Sequence, residues 1–479
     1  MSFKRGSGVT AAISVLATIA IFGSQQVPAA AAVKAAAPAT AVAPPTVSAA
    51  SSYRPITPSF RILDTRTGLC GGNVCHALGG GATMTLQITG YVDPGTSQSV
   101  PSAATAVVLN VTAVGGTSFS ILTVYPTGET PRPTASNLNF PAHTALANSV
   151  TTQIGTGGAV NIYNGLGTVN VVADVEGYFI PASASLPAGE YHPIAPIRVC
   201  DTRAGQPATT CNGNNDGKPH ALGPNSSIKV AVAGSPTYCG TITCPPNDFI
   251  PTDGTAENAI INLTAIAGTS NTFLSIVPFT TTGCQFGGSK GAPSYSDVNV
   301  NAGGVQANRV FVPLGPGTTP INVCVYNAAG KANFIIDANG WFGGTGPPVT
   351  PTGLQYVATT PTRICDTRSG MGTPCSGHPL TAGGVLTVVA AGQHGISSSA
   401  KAIIANLTAV DGTSFTFLSA YPSDATSRPN VSDVNVAAGQ VLPNLTAITL
   451  SGGGTPGDFN LFNGLGRIDA IVDVEGWFQ

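Results

Sequence analysis

Charge is what this 479-residue chain has least of. Asp, Glu, Lys and Arg make up 8% of it, against about 25% in ordinary globular proteins. Lys+Arg 19 against Asp+Glu 21 leaves a formal charge of -2, which excludes the basic stripe of a nucleic-acid binder and the polybasic patch of a membrane-surface protein. No CxxC pair is present to suggest a thiolate metal centre. HExxH and P-loop fingerprints are missing too. Beyond the N-terminus no apolar run approaches the 18 residues of a membrane span. Gly, Thr, Ser, Asn, Val and Ala stand where Lys and Glu usually do. That bias suits strands and tight turns and opposes long amphipathic helices.

The N-terminus reads as an export signal over 1–32. Lys4 and Arg5 precede an apolar stretch from Val9 to Phe22, and an Ala-rich run at Ala29–Ala32 suits cleavage. The competing reading is an uncleaved anchor. Residues 33–52 are an Ala/Pro-rich linker. The ten cysteines are Cys70, Cys75, Cys200, Cys211, Cys239, Cys244, Cys284, Cys324, Cys365 and Cys375. An even count in an exported chain favours disulfides. Local pairing of Cys70/Cys75, Cys200/Cys211 and Cys365/Cys375 is attractive, although spacing alone fixes no connectivity.

One unit recurs three times. Each copy opens on a Tyr and an Arg-x-x-Asp-Thr-Arg segment, at Arg61–Arg66, Arg198–Arg203 and Arg363–Arg368. A strand bearing Asn-x-Thr follows, with Asn110, Asn262 and Asn406. Then come SNLNF or SDVNV and an aromatic-Asn turn, and each copy closes on DVEGYF, DANGWF or DVEGWF. The units span 53–179, 191–342 and 356–478, the second with cysteine-bearing inserts. Short Pro-containing linkers act as semi-rigid spacers. At this length each unit can bury its own core, which predicts three beads. Period-2 alternation, as in Met84, Leu86 and Ile88 against Thr83, Thr85 and Gln87, marks half-buried strands. The expected fold is all-β: three tandem antiparallel β-sandwiches of jelly-roll or immunoglobulin-like topology, with small β-barrels as the alternative.

The series DTR, LNVT, SNLNF, YNGLG and DVEGYF resembles a β-domain repeat of exported actinomycete-type bacterial proteins, where it occurs alone, in tandem or beside secreted hydrolase domains. The resemblance covers nearly everything after residue 52. It implies export and an accessory extracellular β-domain, and it brings no established activity or catalytic residue.

With charge so scarce, its recurrence is informative. Arg61, Asp64, Arg66 and Asp174 return as Arg198, Asp201, Arg203 and Asp337, and as Arg363, Asp366, Arg368 and Asp473. One reading is an Arg–Asp lock between the first and last strands of a unit; the other is a polar ligand pocket or a Ca²⁺ site. The recurring amides are the second constellation: Asn110 and Asn139, Asn262 and Asn299, Asn406 and Asn435, with Asn148, Asn308 and Asn444 beside them and turn residues Asn164, Asn327 and Asn463. Asn is disfavoured in strands, so it serves either bulges and turns or the hydroxyls of a sugar. His76, His220 and His378 recur without a nucleophile or a second ligand. Paired-carboxylate glycosidase chemistry fails on inventory, because Glu176 and Glu475 become Asn339 in the middle unit. The functional expectation is a secreted, non-catalytic protein binding cell-wall or environmental polysaccharide multivalently, with no cofactor and no nucleic-acid partner. A structural or adhesive surface protein with protein partners is the alternative, and a glycan hydrolase the third.

Overall fold

The computed structural model describes residues 47–182, 189–204, 220–233, 250–266, 268–284, 286, 293, 295–315, 321–343, 353–453 and 457–479. The export signal, linker residues 33–46, and Cys211, Cys239 and Cys244 lie outside the described residues. So do most of the spacers between units.

Alternating apolar residues, Gly-containing turns and the lack of helix formers give strands throughout. In the first unit eight main strands run from Ser51–Asp64 to Asn170–Pro181. They form two antiparallel sheets, ordered first–eighth–third–sixth and second–seventh–fourth–fifth. The second unit (Tyr191–Asp201 to Asn333–Gly343) and the third (Tyr356–Asp366 to Asp469–Phe478) repeat that order. This is the eight-stranded jelly roll, one of the two sandwich topologies expected.

In the large sheet of each unit the last strand carries a one-residue bulge. Register slips between Val175 and Gly177, between Ala338 and Gly340, and between Val474 and Gly476. The residues left over are Glu176, Asn339 and Glu475. A bulge re-aims a side chain, and these three turn toward the neighbouring unit. The following Gly is required: a Cβ on Gly177, Gly340 or Gly476 would lie 2.3 Å from the hydroxyl oxygen of Tyr53, Tyr191 or Tyr356.

The expectation of three beads is corrected. The described residues form one compact body, because the large sheets face one another across a shared apolar centre of Tyr53, Phe179, Tyr191, Phe342, Tyr356 and Phe478. Tyr53 stacks on Phe342 with centroids 4.6 Å apart, Tyr191 on Phe478 at 4.1 Å, and Tyr356 lies against Phe179 at 4.2 Å. Each pair joins two different units, and together they close a ring. Length sufficed for a private core, but the inward faces are apolar enough to need a partner. Residues 47–52 of the supposed linker also belong to this body: Val47 bridges Thr359, and Ser51 pairs with Tyr356. Among the described residues no helix is long and apolar enough to cross a membrane.

Candidate functional site

Each unit holds its recurrent charges as a closed cluster. Arg61 Nε and Nη2 donate to Asp174 at 2.9 and 3.2 Å, joining the first strand to the last. Arg198–Asp337 and Arg363–Asp473 repeat the pair. Arg66 grips Asp64 at 2.8 and 2.7 Å, as Arg203 does Asp201 and Arg368 does Asp366. The Arg66 hydrogen bonds hold the Asp64 carboxyl below its usual range. Burial outweighs Arg61 at Asp174 and pushes it up. All six Asp residues are buried with their oxygens turned to guanidinium groups. No group of three or more His, Cys, Asp or Glu suited to a metal occurs among the described residues.

The recurrent Asn residues join units. Asn110 Nδ2 donates to Ser296 O at 2.6 Å, Asn262 to Ser432 O at 2.7 Å, and Asn406 to Ser136 O. Asn308 Nδ2 donates to Asn110 Oδ1, Asn444 to Asn262 Oδ1, and Asn148 to Asn406 Oδ1, at 2.8–2.9 Å. Their own Oδ1 atoms then accept from the backbone N–H of Ser149, Arg309 and Leu445. The relay runs first to second, second to third and third to first. All six amides are buried. Asn139, Asn299 and Asn435 instead brace the Ser three residues before them. Asn164, Asn327 and Asn463 hold turn carbonyls, as in Asn164 Nδ2 to Gly167 O at 3.0 Å. None of these amides forms an open polar groove. The three histidines are exposed.

Around the relay, each contact between units has its own polar set. Between second and third, the fully buried Arg309 donates to Asp433 at 2.7 Å, to Thr446 Oγ1 and to Asn339 Oδ1. Between third and first, Glu475 accepts from Asn137 Nδ2 at 2.6 Å and from Thr151 N–H at 2.8 Å. Between first and second, Glu176 and Asp297 come together from opposite units. Arg309 escaped the reading by recurrence because its counterparts are Ser149 and Leu445; the signal was a lone Arg inside an apolar strand.

The cysteines divide. Cys365–Cys375 and Cys284–Cys324 are disulfides. The expected Cys70–Cys75 bridge is corrected: both are buried free thiols. Burial, with the neighbouring Cys70, pushes Cys75 up to about 12, so it stays protonated.

The small sheets face outward, and here the units are not equivalent. In the first, the Arg132 guanidinium lies 3.7 Å from the Tyr163 ring centroid. Beside it Thr85 donates to Asn161 Oδ1 at 2.9 Å. In the third, Arg428 covers Phe462 at 4.3 Å, and Thr387 donates to Asn460 Oδ1 at 2.8 Å. In the second, Tyr326 is buried against Phe286 and Phe273. Arg132 and Arg428 went unnoticed although each precedes a Pro and stands four residues before the Ser of the SNLNF/SDVNV motif.

Fold and site together define an all-β protein of three fused jelly rolls. No family model matches the chain, and no curated protein matches it. Three solved structures are similar in outline. A triple-jelly-roll protein of an archaeal virus turret assembly is 10% identical over 90% of both chains, with TM-score 0.16. A Sulfolobus turreted icosahedral virus protein is 11% identical over 89% of this chain and 90% of its own, with TM-score 0.16. The tandem CBM22-1-CBM22-2 domain of Paenibacillus barcinonensis Xyn10C is 10% identical over 64% of this chain and all of its own, with TM-score 0.15. At such TM-scores none carries an argument about function.

Proposed function

We propose that this is an extracellular, non-catalytic protein that binds polysaccharide multivalently through its outer sheets, with a preference for carboxylated sugars. The observation that carries the reading is the twinned surface: Arg132, Tyr163, Asn161 and Thr85 on one unit, and Arg428, Phe462, Asn460 and Thr387 on another, fixed in one body. Each copy combines an aromatic ring, an amide, a hydroxyl and an exposed guanidinium, which together suit the C–H faces, hydroxyls and carboxylates of acidic sugars. Two copies on one body raise avidity without any new contact. The export signal, the resemblance to exported repeats and the disulfides support an extracellular setting. The recurrent Asp residues give no support to hydrolysis, since each is engaged by Arg.

Affinity electrophoresis in acidic and neutral polysaccharide gels tests this. Wild type should be retarded by acidic glycans, Arg132→Ala and Arg428→Ala each less so, and the double variant hardly at all. A wild type that no glycan retards sinks the reading. One observation favours a protein partner instead. The apolar tips Phe119 with Leu166 and Phe415 with Leu465 are 39–58% exposed at matching places in the first and third units. That reading predicts sugar-independent, concentration-dependent assembly in light scattering.

A further inference from the structure

The three contacts between units pose one electrostatic problem and answer it differently. Asp433 faces the guanidinium of Arg309. Glu475 has both oxygens occupied by N–H donors. At the first–second contact Ser149 stands where Arg309 stands, so Glu176 and Asp297 face each other with no side-chain cation bonded to either among the described residues. One oxygen of each is used: Phe311 N–H donates to Glu176 Oε2 at 3.3 Å and Ile276 N–H to Asp297 Oδ2 at 2.6 Å. Glu176 Oε1 is buried without a partner, although the residue is only 3% exposed. Both carboxyls line a cavity of about 10 Å³ with Tyr295, and its rim includes the exposed Thr57. That volume admits about one water-sized group. Burial first, and then the facing carboxyl, push Glu176 well above its ordinary range, and burial pushes Asp297 up to about 8. Such a pair calls for positive charge between its members.

We propose that this cavity is a cation seat, in which Glu176 and Asp297 hold one hard divalent cation of the calcium class and so do for the first–second contact what Arg309 does for the second–third. The side-chain oxygens lining the cavity are those of Glu176, Asp297, Tyr295, Ser59 and Thr57, which suits a hard cation, and the exposed rim at Thr57, not the cavity itself, is where water completes its shell. No thiol or imidazole lines the cavity.

The test is thermal unfolding of the whole chain, EDTA-treated and dialysed, at pH 8.5 and fixed ionic strength, titrated with CaCl₂. Wild type should gain a saturable rise in Tm of about 2–4 °C that NaCl does not reproduce. Asp297→Asn and Glu176→Gln should lose it. Asp297→Asn is compatible with folding because Asn137 occupies the matching place in the first unit. The proposal falls if CaCl₂ leaves wild type unmoved, or moves Asp297→Asn equally. It falls also if Tm ignores CaCl₂ but drops with rising pH in wild type and not in Asp297→Asn, which assigns a shared proton instead.

Discussion

The inward sheets and the outward sheets of this protein were built from the same three-fold repeat, yet recurrence means different things on the two. Inward, the Tyr, the Asn relay, the bulge Gly and the closing Phe recur in all three units because each copy must fit both neighbours. A ring of three contacts tolerates little variation, and it varies only where a polar set can be exchanged whole. Outward, no neighbour enforces sameness, and the second unit has buried its Tyr326 while the first and third display an Arg on an aromatic. Residues repeated three times therefore report assembly, and residues repeated twice at the surface are the better guide to a ligand.

The inward side should be much the more fragile. Tyr191→Ala removes a fully buried ring stacked on Phe478 and a hydrogen bond from its hydroxyl to Asn339 O at 2.9 Å. A loss of about 3–5 kcal/mol is expected, read by chemical denaturation. Gly340→Ala should cost a similar amount, since its Cβ would collide with that same ring. Arg309→Leu leaves Asp433 buried without its cation and should cost about 3–5 kcal/mol. The sharper version adds Asp433→Asn and Asn339→Glu, which installs the set of the third–first contact, where Leu445, Asn137 and Glu475 stand. Recovery of most of the loss in the triple variant would show that the sets are exchangeable, and additive damage would show that they are not.

A smaller effect separates the contacts by pH. Burial, only partly offset by Thr151 and Asn137, pushes Glu475 up to about 8, whereas an unfolded Glu titrates near 4.3. The folded protein then holds a proton that the unfolded chain has lost between those values. Its contribution to stability is complete below about pH 4 and is lost as pH rises to about 8, by at most ~1.4 kcal/mol per pH unit. Denaturant melts at pH 5 and pH 8 should differ less for Glu475→Gln than for wild type. An unchanged difference would mean that Glu475 is ionised throughout.

Much of this is legible in the sequence. Period-2 alternation and the missing helix formers give an all-β chain, and seven to nine strand-sized segments per unit between Gly and Pro turns give a sandwich. The Arg and Asp residues stood out because charge is rare, and the structure puts them in bidentate pairs. What could not be read was that the units share a centre. Tyr53 and Phe179 look like any core aromatics, and only geometry shows that they stack on Phe342 and Tyr356 of other units. The Asn residues were weighed as sugar ligands or local braces because sequence distance hides partners such as Asn148 and Asn406, which lie 258 residues apart. The exchange of Glu176 and Glu475 for Asn339 argues in sequence only against paired-carboxylate chemistry, and the structure shows it to be the signature of alternative contact sets. Arg132 and Arg428 were missed for the opposite reason, that they recur only twice.

The smallest expected effect lies outside. Arg132→Ala and Arg428→Ala remove exposed guanidinium groups whose protein contacts are a ring face and the following Pro carbonyl, Pro133 O at 3.3 Å and Pro429 O at 3.0 Å. Exposed cation–π pairs contribute about 0.5–1 kcal/mol, so each variant should unfold within about that margin of wild type. Arg61→Ala offers the contrast. Arg61 is itself partly exposed, yet Asp174 behind it is buried, and truncation strands that carboxylate at a cost of a few kcal/mol. If Arg132→Ala unfolds as easily as Arg61→Ala, the outer guanidinium is structural and its loss from a polysaccharide gel says nothing about binding. If it unfolds with wild type and still loses retardation, the outward face has a role that the fold does not require.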